Sequence, residues 1–394
     1  MTQSARCDRA RGCLFGLAIG DALGAPLEGL SAQQVRSHYG QVEDFVDGVR
    51  AWKRKPYRWR MPGLYTDDTQ QALVLADVLV RRGSMDQAEV AALYLRMAQP
   101  KGGYLGAHRA VGRSFRQVLA ELERGASPLE TGQDSAGVGA AVRIAPVALY
   151  HHVDVEAMVD AVLKASLITH RDVRSLAGAL LVALAIRRLL NDEDARSGSF
   201  PLRLAADLAP LEDRLVNALA DRVVGARFVR GLSTAIAKVE RLLELPREHA
   251  LQALVDEANR HGPKEPCRRA TMGFPPACVP TCLYYLLTTD SFEEALVEVV
   301  NLGGDADSAG AIIGALAGAH YGAASIPERW MNGVRNRDGL ERYADALARP
   351  ADFAVDLPDL VATERQLSEE EDACRGCMRA SRSSGGDLGA NRRL

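Results

Sequence analysis

Apolar residues recur along this chain at helical spacing far more often than in strict alternation with polar ones. Across residues 70–82 (QQALVLADVLVRR), Leu73, Leu75, Ala76, Leu79 and Val80 can share one helix face, and Gly83 supplies a C-terminal stop. The same period runs through 87–97, 114–124, 155–167, 175–190, 215–243 and 292–300. The pattern predicts one all-α domain of about a dozen or more helices over residues 1–348. NDEDARSGS (191–199) reads as an exposed polar loop. From about 349 the period fades into a charged, Ser- and Gly-rich end, so 349–394 is expected to be a disordered tail.

Two stretches carry a second pattern inside the first. Gly12, Gly16, Gly20 and Gly24 fall at every fourth position, as do Gly310, Gly314, Gly318 and Gly322. That spacing lines each set along one helix face. Glycine inside a helix costs about 0.5–1 kcal/mol relative to alanine, so four in a row require a compensating gain. Close backbone approach supplies one, and the two helices are expected to pack at the centre, against each other, from opposite ends of the chain.

Composition narrows the class. Of 394 residues 47% are hydrophobic and 5% aromatic, and the net charge is −3, so no global field favours nucleic acid or an anionic membrane. Seven scattered cysteines do not make a disulfide framework. Cys374 and Cys377 form C-x-x-C without zinc-ligand partners nearby. The short apolar run 13–19 breaks at Asp21, unlike a secretory leader, and no stretch reaches the ~20 apolar residues of a membrane span. A cytoplasmic monomer is expected.

The candidate chemistry lies in two acidic pairs, each placed where a helix begins. Thr66-Asp67-Asp68-Thr69 precedes the helix at Gln70, and Gly303-Gly304-Asp305-Ala306-Asp307-Ser308 precedes the second glycine stripe. One carboxylate at a helix N-terminus is explained by capping, but a cap needs only one acceptor oxygen. Four carboxylates with the Thr66 and Ser308 hydroxyls form an all-oxygen set that would repel itself unless protonated or neutralised. Hard divalent cations, Mg²⁺ or Mn²⁺, meet that need, and the ligand number suits two ions about 3.5–4 Å apart, provided the pairs meet in space.

These motifs also carry a resemblance. YTDDTQQAL and NLGGDADSAGAIIGALAGAHYGAASIP, with GCLFGLAIGDALGAPLEG, GVGAAVRIAP and LITH, resemble in content and order the ADP-ribosylglycohydrolase family over roughly residues 12–330. The resemblance implies a compact all-α fold around a binuclear Mg²⁺ or Mn²⁺ centre with ligands at Thr66, Asp67, Asp68, Asp305, Asp307 and Ser308. It implies Glu28 at the metal edge, with Glu28, Asp67 and Asp305 as the carboxylates for proton transfer. It places Gly137, Gly139 and His170 at the ADP-ribose, and Phe274, in the GFPPAC turn, is a candidate aromatic face for the ligand or a packing residue. Val138 stands where the family usually has asparagine, which puts a polar ligand contact in doubt. Asp21, inside the first stripe, is a candidate brace for the metal site or a plain structural acceptor.

The implied reaction is hydrolysis of the bond between ADP-ribose and a modified acceptor, with arginine on a protein the leading candidate by analogy. A binuclear phosphohydrolase and a non-catalytic ADP-ribose-binding protein are the alternatives. One segment lies outside the family pattern: WKRKPYRWR (52–60) interleaves Lys53, Arg54, Lys55, Arg58 and Arg60 with aromatics just ahead of Thr66. Such a loop can grip phosphates and stack on bases, which leaves a nucleic-acid partner open. KGGYLGAHRAVGR (101–113) is a second basic loop expected beside the same cleft.

Overall fold

In the computed structural model, residues 2–99, 106–196, 199–349 and 357–384 are described. Among them the chain forms eighteen α-helices, with extended pairing limited to three isolated bridges. The all-α expectation holds. No helix of the described residues is long and apolar enough to cross a membrane.

The two glycine stripes face each other. The helix Gln3–Gly24 runs antiparallel to Ala306–Tyr321, with Gly12 opposite Gly318, Gly16 opposite Gly314, Gly20 opposite Gly310 and Gly24 opposite Ala306. A methyl group on Gly16 would lie 2.0 Å from the Gly314 carbonyl oxygen, and one on Gly20 would lie 1.9 Å from that of Gly310. The backbones therefore touch where side chains would otherwise hold them apart. Both helices are buried along this length, which places them at the centre of the molecule. The C-terminal end of the first helix thereby meets the N-terminal end of the second, where the acidic turn 303–308 begins.

The helix Asp67–Arg82 closes on Gly83 in the left-handed region (φ 74°), as its sequence predicts. The apolar period across 215–243 is misleading, because the chain breaks there. Phe200–Ala218 and Gly231–Leu242 are separate helices, with Gly225 (φ 79°) and Arg230 (φ 62°) turning the backbone between them. A larger difference lies at the end of the chain. Within the expected tail, Leu360–Ser384 is a helix whose inner face buries Leu360, Val361, Leu367, Glu364 and Glu371. Ala362 is capped by the Asp359 carboxylate at 3.1 Å. Residues 350–356 and 385–394 of that tail lie outside the described residues.

Gly314→Ala is expected to lower unfolding free energy in urea by about 1–3 kcal/mol or more, because its methyl would fall 1.9 Å from the Gly16 carbonyl oxygen. Gly112→Ala, with open space at that position, should cost less than about 1 kcal/mol. Equal effects would mean that the stripes are not held by close approach.

Candidate active site

The turn before Asp67–Arg82 is fixed from inside by Asp21. This fully buried carboxylate accepts the Thr66 N–H at 3.0 Å, the Thr69 N–H at 3.0 Å and the Thr69 hydroxyl at 2.6 Å. Asp21 is thus a brace from the glycine helix to the turn. Capping of the new helix falls to Thr66, whose Oγ1 accepts the Asp68 N–H at 3.3 Å. Neither Asp67 nor Asp68 is needed as a cap. Asp67 accepts from Gln71 at 2.9 Å, four residues on along the same helix face.

The second acidic turn depends on two glycines in the left-handed region, Gly303 (φ 68°) and Gly304 (φ 76°). Gly304 donates to Leu30 O at 2.8 Å, Gly29 donates to Gly304 O at 2.7 Å, and Asp305 donates to Thr271 O at 2.8 Å. The turn is therefore sewn to the segment that carries Glu28. Asp305 ends the turn without making a side-chain cap. Gly273 leaves it room, since a methyl group there would meet Asp305 Oδ2 at 2.3 Å.

The two turns meet. Ser308 Oγ donates to Asp68 Oδ2 at 2.9 Å, across 240 positions of sequence. Burial pushes the Asp67 carboxyl up to about 7, with the Asp21 charge adding to it. Burial and then Glu28 push Asp305 up to about 6. Asp68 and Asp307 are raised well above the usual range by burial, followed by Asp67 for the first and Glu28 for the second. Among the described residues the ion pair at this centre is Glu28 with Arg58, at 2.6 Å. Also among them, no three Asp, Glu, His or Cys side chains close to ligating geometry. The donor set itself fits a cation: carboxyl groups buried together from two turns and flanked by hydroxyls, whose ionisation burial and mutual repulsion oppose until positive charge is supplied. Thr66, Asp67, Asp68, Asp305, Asp307 and Ser308 are the residues that would hold it.

Beside this centre lies a glycine-rich loop. Gly137 O accepts from Ser175 at 2.6 Å, and Val138 N–H donates to Gly273 O at 3.1 Å, tying the loop to the residue beside Asp305. A methyl on Gly139 would fall 3.0 Å from the His170 ring, so the glycines let the imidazole lie against the backbone. His170 Nδ1 pairs with Thr169 Oγ1 at 2.7 Å. Arg143, fully buried, donates to Thr169 Oγ1 and, at 2.8 Å, to Gln71 Oε1. Burial, with Arg143 adding to it, pushes the imidazole down to about 3, so His170 is neutral at physiological pH and no cationic phosphate clamp. A connected path therefore runs from Asp67 through Gln71, Arg143 and Thr169 to His170. Gln71 and Arg143 were missed in the sequence. The available signals were the i,i+4 spacing of Gln71 from Asp67 and a lone arginine in an apolar stretch.

Four further features singled out in the sequence have definite surroundings in the structure. The Val138 side chain packs in the main apolar core, so the missing asparagine is replaced by a core contact. Phe274 is buried in a small cluster with Val255, Ala258 and Cys267, with the Arg174 guanidinium 5.6 Å from its ring. In the basic loop, Arg58 turns inward to Glu28, and its guanidinium sits 5.2 Å from the Trp52 ring. Arg60 is buried and bonds to Tyr57 O at 3.0 Å, while Lys53, Arg54, Lys55 and Tyr57 are exposed. Likewise Arg109, from the second basic loop, is buried against Glu364 instead of lining a cleft. Residues 101–105 of that loop lie outside the described residues.

The features that single this chain out are an all-α frame, two acidic helix-starting turns that meet, and a glycine-backed histidine. The chain belongs to the ADP-ribosylglycohydrolase family, whose model matches residues 2–354. It is 28% identical over 355 residues to the ADP-ribosyl-[dinitrogen reductase] glycohydrolase of Rhodospirillum rubrum, covering 88% of this chain and 98% of that one. It is 25% identical over 350 residues to the ADP-ribosylarginine hydrolase Tri1 of Serratia proteamaculans, covering 88% and 80%. A solved structure titled ADP-ribosylglycohydrolase-related protein complex aligns with TM-score 0.64 at 29% identity, over 88% of this chain and 99% of that one.

The raised carboxyls set a pH signature. A folded value above the ordinary 3.8 contributes stability that is full below that value and lost as pH climbs through about 6 to 7. Buried neutral histidines pull the other way below about 6.5, so the effect is read as a difference. In metal-free protein, Asp67→Asn should stabilise relative to wild type, and more at pH 8 than at pH 5. A gain independent of pH, measured by urea unfolding, would refute the repulsive cluster.

Proposed function

We propose that this protein hydrolyses the glycosidic bond between ADP-ribose and a modified acceptor, with an arginine side chain of a protein as the leading acceptor. Two divalent cations, Mg²⁺ or Mn²⁺, held by Thr66, Asp67, Asp68, Asp305, Asp307 and Ser308, complete the centre. The observation that carries this reading is the meeting of the two acidic turns at the Asp68–Ser308 hydrogen bond, inside a buried and un-neutralised carboxylate cluster. The arginine acceptor has its support in the relative named ADP-ribosylarginine hydrolase.

Bound cations in such a site lower the pKa of a water and hold sugar hydroxyls. The residues supply the rest. Cleavage builds positive charge on the distal ribose, and a pocket of carboxylates stabilises that charge over the neutral ground state. Asp67, Asp305 and Glu28 are the carboxylates placed to move the proton between water and leaving group. Gly137 and Gly139 bring backbone close to the ligand, and neutral His170 offers Nε2 beside them. Arg58 pairs with Glu28 and fixes it beside the cluster, whose carboxyls the Glu28 charge pushes up.

In the basic loop, Lys55 lies over the Trp52 ring together with Arg58, the partner of Glu28, and the exposed Arg54, Lys55 and Tyr57 favour an anionic surface around the acceptor, a nucleic acid included.

Release of free ADP-ribose from an ADP-ribosylarginine protein should require Mg²⁺ or Mn²⁺, stop with chelator, and fall by about 10²-fold or more in Asp305→Ala. Release of inorganic phosphate or a nucleotide instead would point to a phosphohydrolase. Binding of ADP-ribose without any release would make the protein a non-catalytic member.

A further inference from the structure

The helix Leu360–Ser384 lies beyond the stretch matched by the family, residues 2–354, yet its inner face reaches the turn that carries Asp67 and Asp68. Glu364 is fully buried. Its Oε1 accepts the Tyr65 hydroxyl at 2.6 Å, and its Oε2 accepts Gln70 Nε2 at 2.8 Å and Arg109 Nη2 at 2.6 Å. Tyr65 and Gln70 are the residues immediately before and after Thr66–Thr69. Arg109 closes the circuit. Its N–H donates to Gln70 Oε1 at 2.9 Å, its Nε donates to Tyr65 O at 3.0 Å, and its carbonyl accepts the Asp67 N–H at 3.1 Å. One turn along the helix, Ser368 Oγ accepts from Arg109 Nη1 at 3.0 Å and donates to Ala107 O at 2.7 Å. Further on, Arg375 donates to Trp59 O at 3.1 Å, next to the arginine that holds Glu28.

A buried ion pair is by itself weak support for stability, since desolvation offsets most of its Coulomb gain. The placement of this one says more. The turn 66–69 is gripped on one side by Asp21, through Thr66 and Thr69, and on the other by Glu364, through the two flanking residues. All three partners of the Glu364 carboxylate bear on the position of that turn. We infer that the C-terminal helix is a built-in positioning element of the active centre, and that Glu364 is a positioning residue that sets Thr66, Asp67 and Asp68 for cation binding through Tyr65, Gln70 and Arg109. The inference rests on the reading of those three residues as cation ligands.

The test uses the full chain with Glu364→Gln, which keeps size and the acceptor for Tyr65 but turns an amide N–H₂ toward two donors. Mn²⁺ affinity is read directly by calorimetry or by the free-Mn²⁺ spin-resonance signal, and fold by far-ultraviolet circular dichroism. Groups that orient metal ligands typically weigh about 10–100-fold on affinity or activity. Glu364→Gln is therefore expected to weaken Mn²⁺ binding by about 10-fold or more. Turnover at limiting Mn²⁺ should fall in proportion and recover at saturating Mn²⁺, with KM for the ADP-ribosylated substrate unchanged there. A merely structural role would lower the melting temperature and leave the Mn²⁺ affinity of the folded protein alone. If Glu364→Gln does not fold, Ser368→Ala, which removes one bond to Arg109 and one to Ala107, decides by the same measurement with a smaller weakening expected. A folded variant with wild-type Mn²⁺ affinity overturns the inference while the metal reading stands, provided Asp305→Ala has lost Mn²⁺ binding. Wild-type protein that binds no Mn²⁺ overturns both.

Discussion

The contact on which the rest depends is the bare backbone crossing of the helices Gln3–Gly24 and Ala306–Tyr321. Four glycines of the first helix and three of the second (Gly310, Gly314 and Gly318) remove the side chains that would separate them, and carbonyl oxygens pack where methyl groups cannot fit. The cost in helix propensity is about 0.5–1 kcal/mol for each glycine. What the crossing secures is register. It places Asp21, from the start of the chain, beneath one acidic turn, and it starts the second turn beside the segment bearing Glu28. The acidic turns at 66–69 and 303–308 meet at the Asp68–Ser308 hydrogen bond because two helices from opposite ends of the sequence are locked at close range.

That geometry stores repulsion. Each carboxyl of the cluster is raised by burial and by its neighbours, so the apo centre works against the fold unless protons or cations relieve it. The surroundings are correspondingly braced. Asp21 holds the first turn from below, Thr271 holds the second while Gly273 leaves room for Asp305, and Arg58 keeps Glu28 at the rim. The path Asp67–Gln71–Arg143–Thr169–His170 joins the acidic turn to the glycine-rich loop, so the orientation of the metal side and of the ligand side is set by one set of hydrogen bonds.

Much of this frame was legible in the sequence because it is carried by contiguous patterns. The glycine period announced close packing, and the doubled aspartates exceeded what capping needs, a point the structure sharpens by giving the cap to Thr66. What stayed hidden depends on partners far apart in the chain. Arg58 looked like part of a solvated basic run until Glu28, thirty positions away, appeared beside it. Arg109 looked like part of a basic loop beside the cleft and is buried against a residue 255 positions on. The helix Leu360–Ser384 escaped notice because its inner face carries Glu364, Ser368 and Glu371 among few apolar residues. Hydrophobic periodicity cannot register a helix that docks through buried polar bonds.

The most direct measurement of the central claim is a crystal structure of the protein grown with Mn²⁺, with diffraction recorded at the manganese absorption edge. Two anomalous peaks between Thr66–Asp67–Asp68 and Asp305–Asp307–Ser308, lost in Gly314→Ala protein that still folds, are the expected result. Anomalous peaks elsewhere, or none at this cavity in protein that retains ADP-ribose release, would contradict the account.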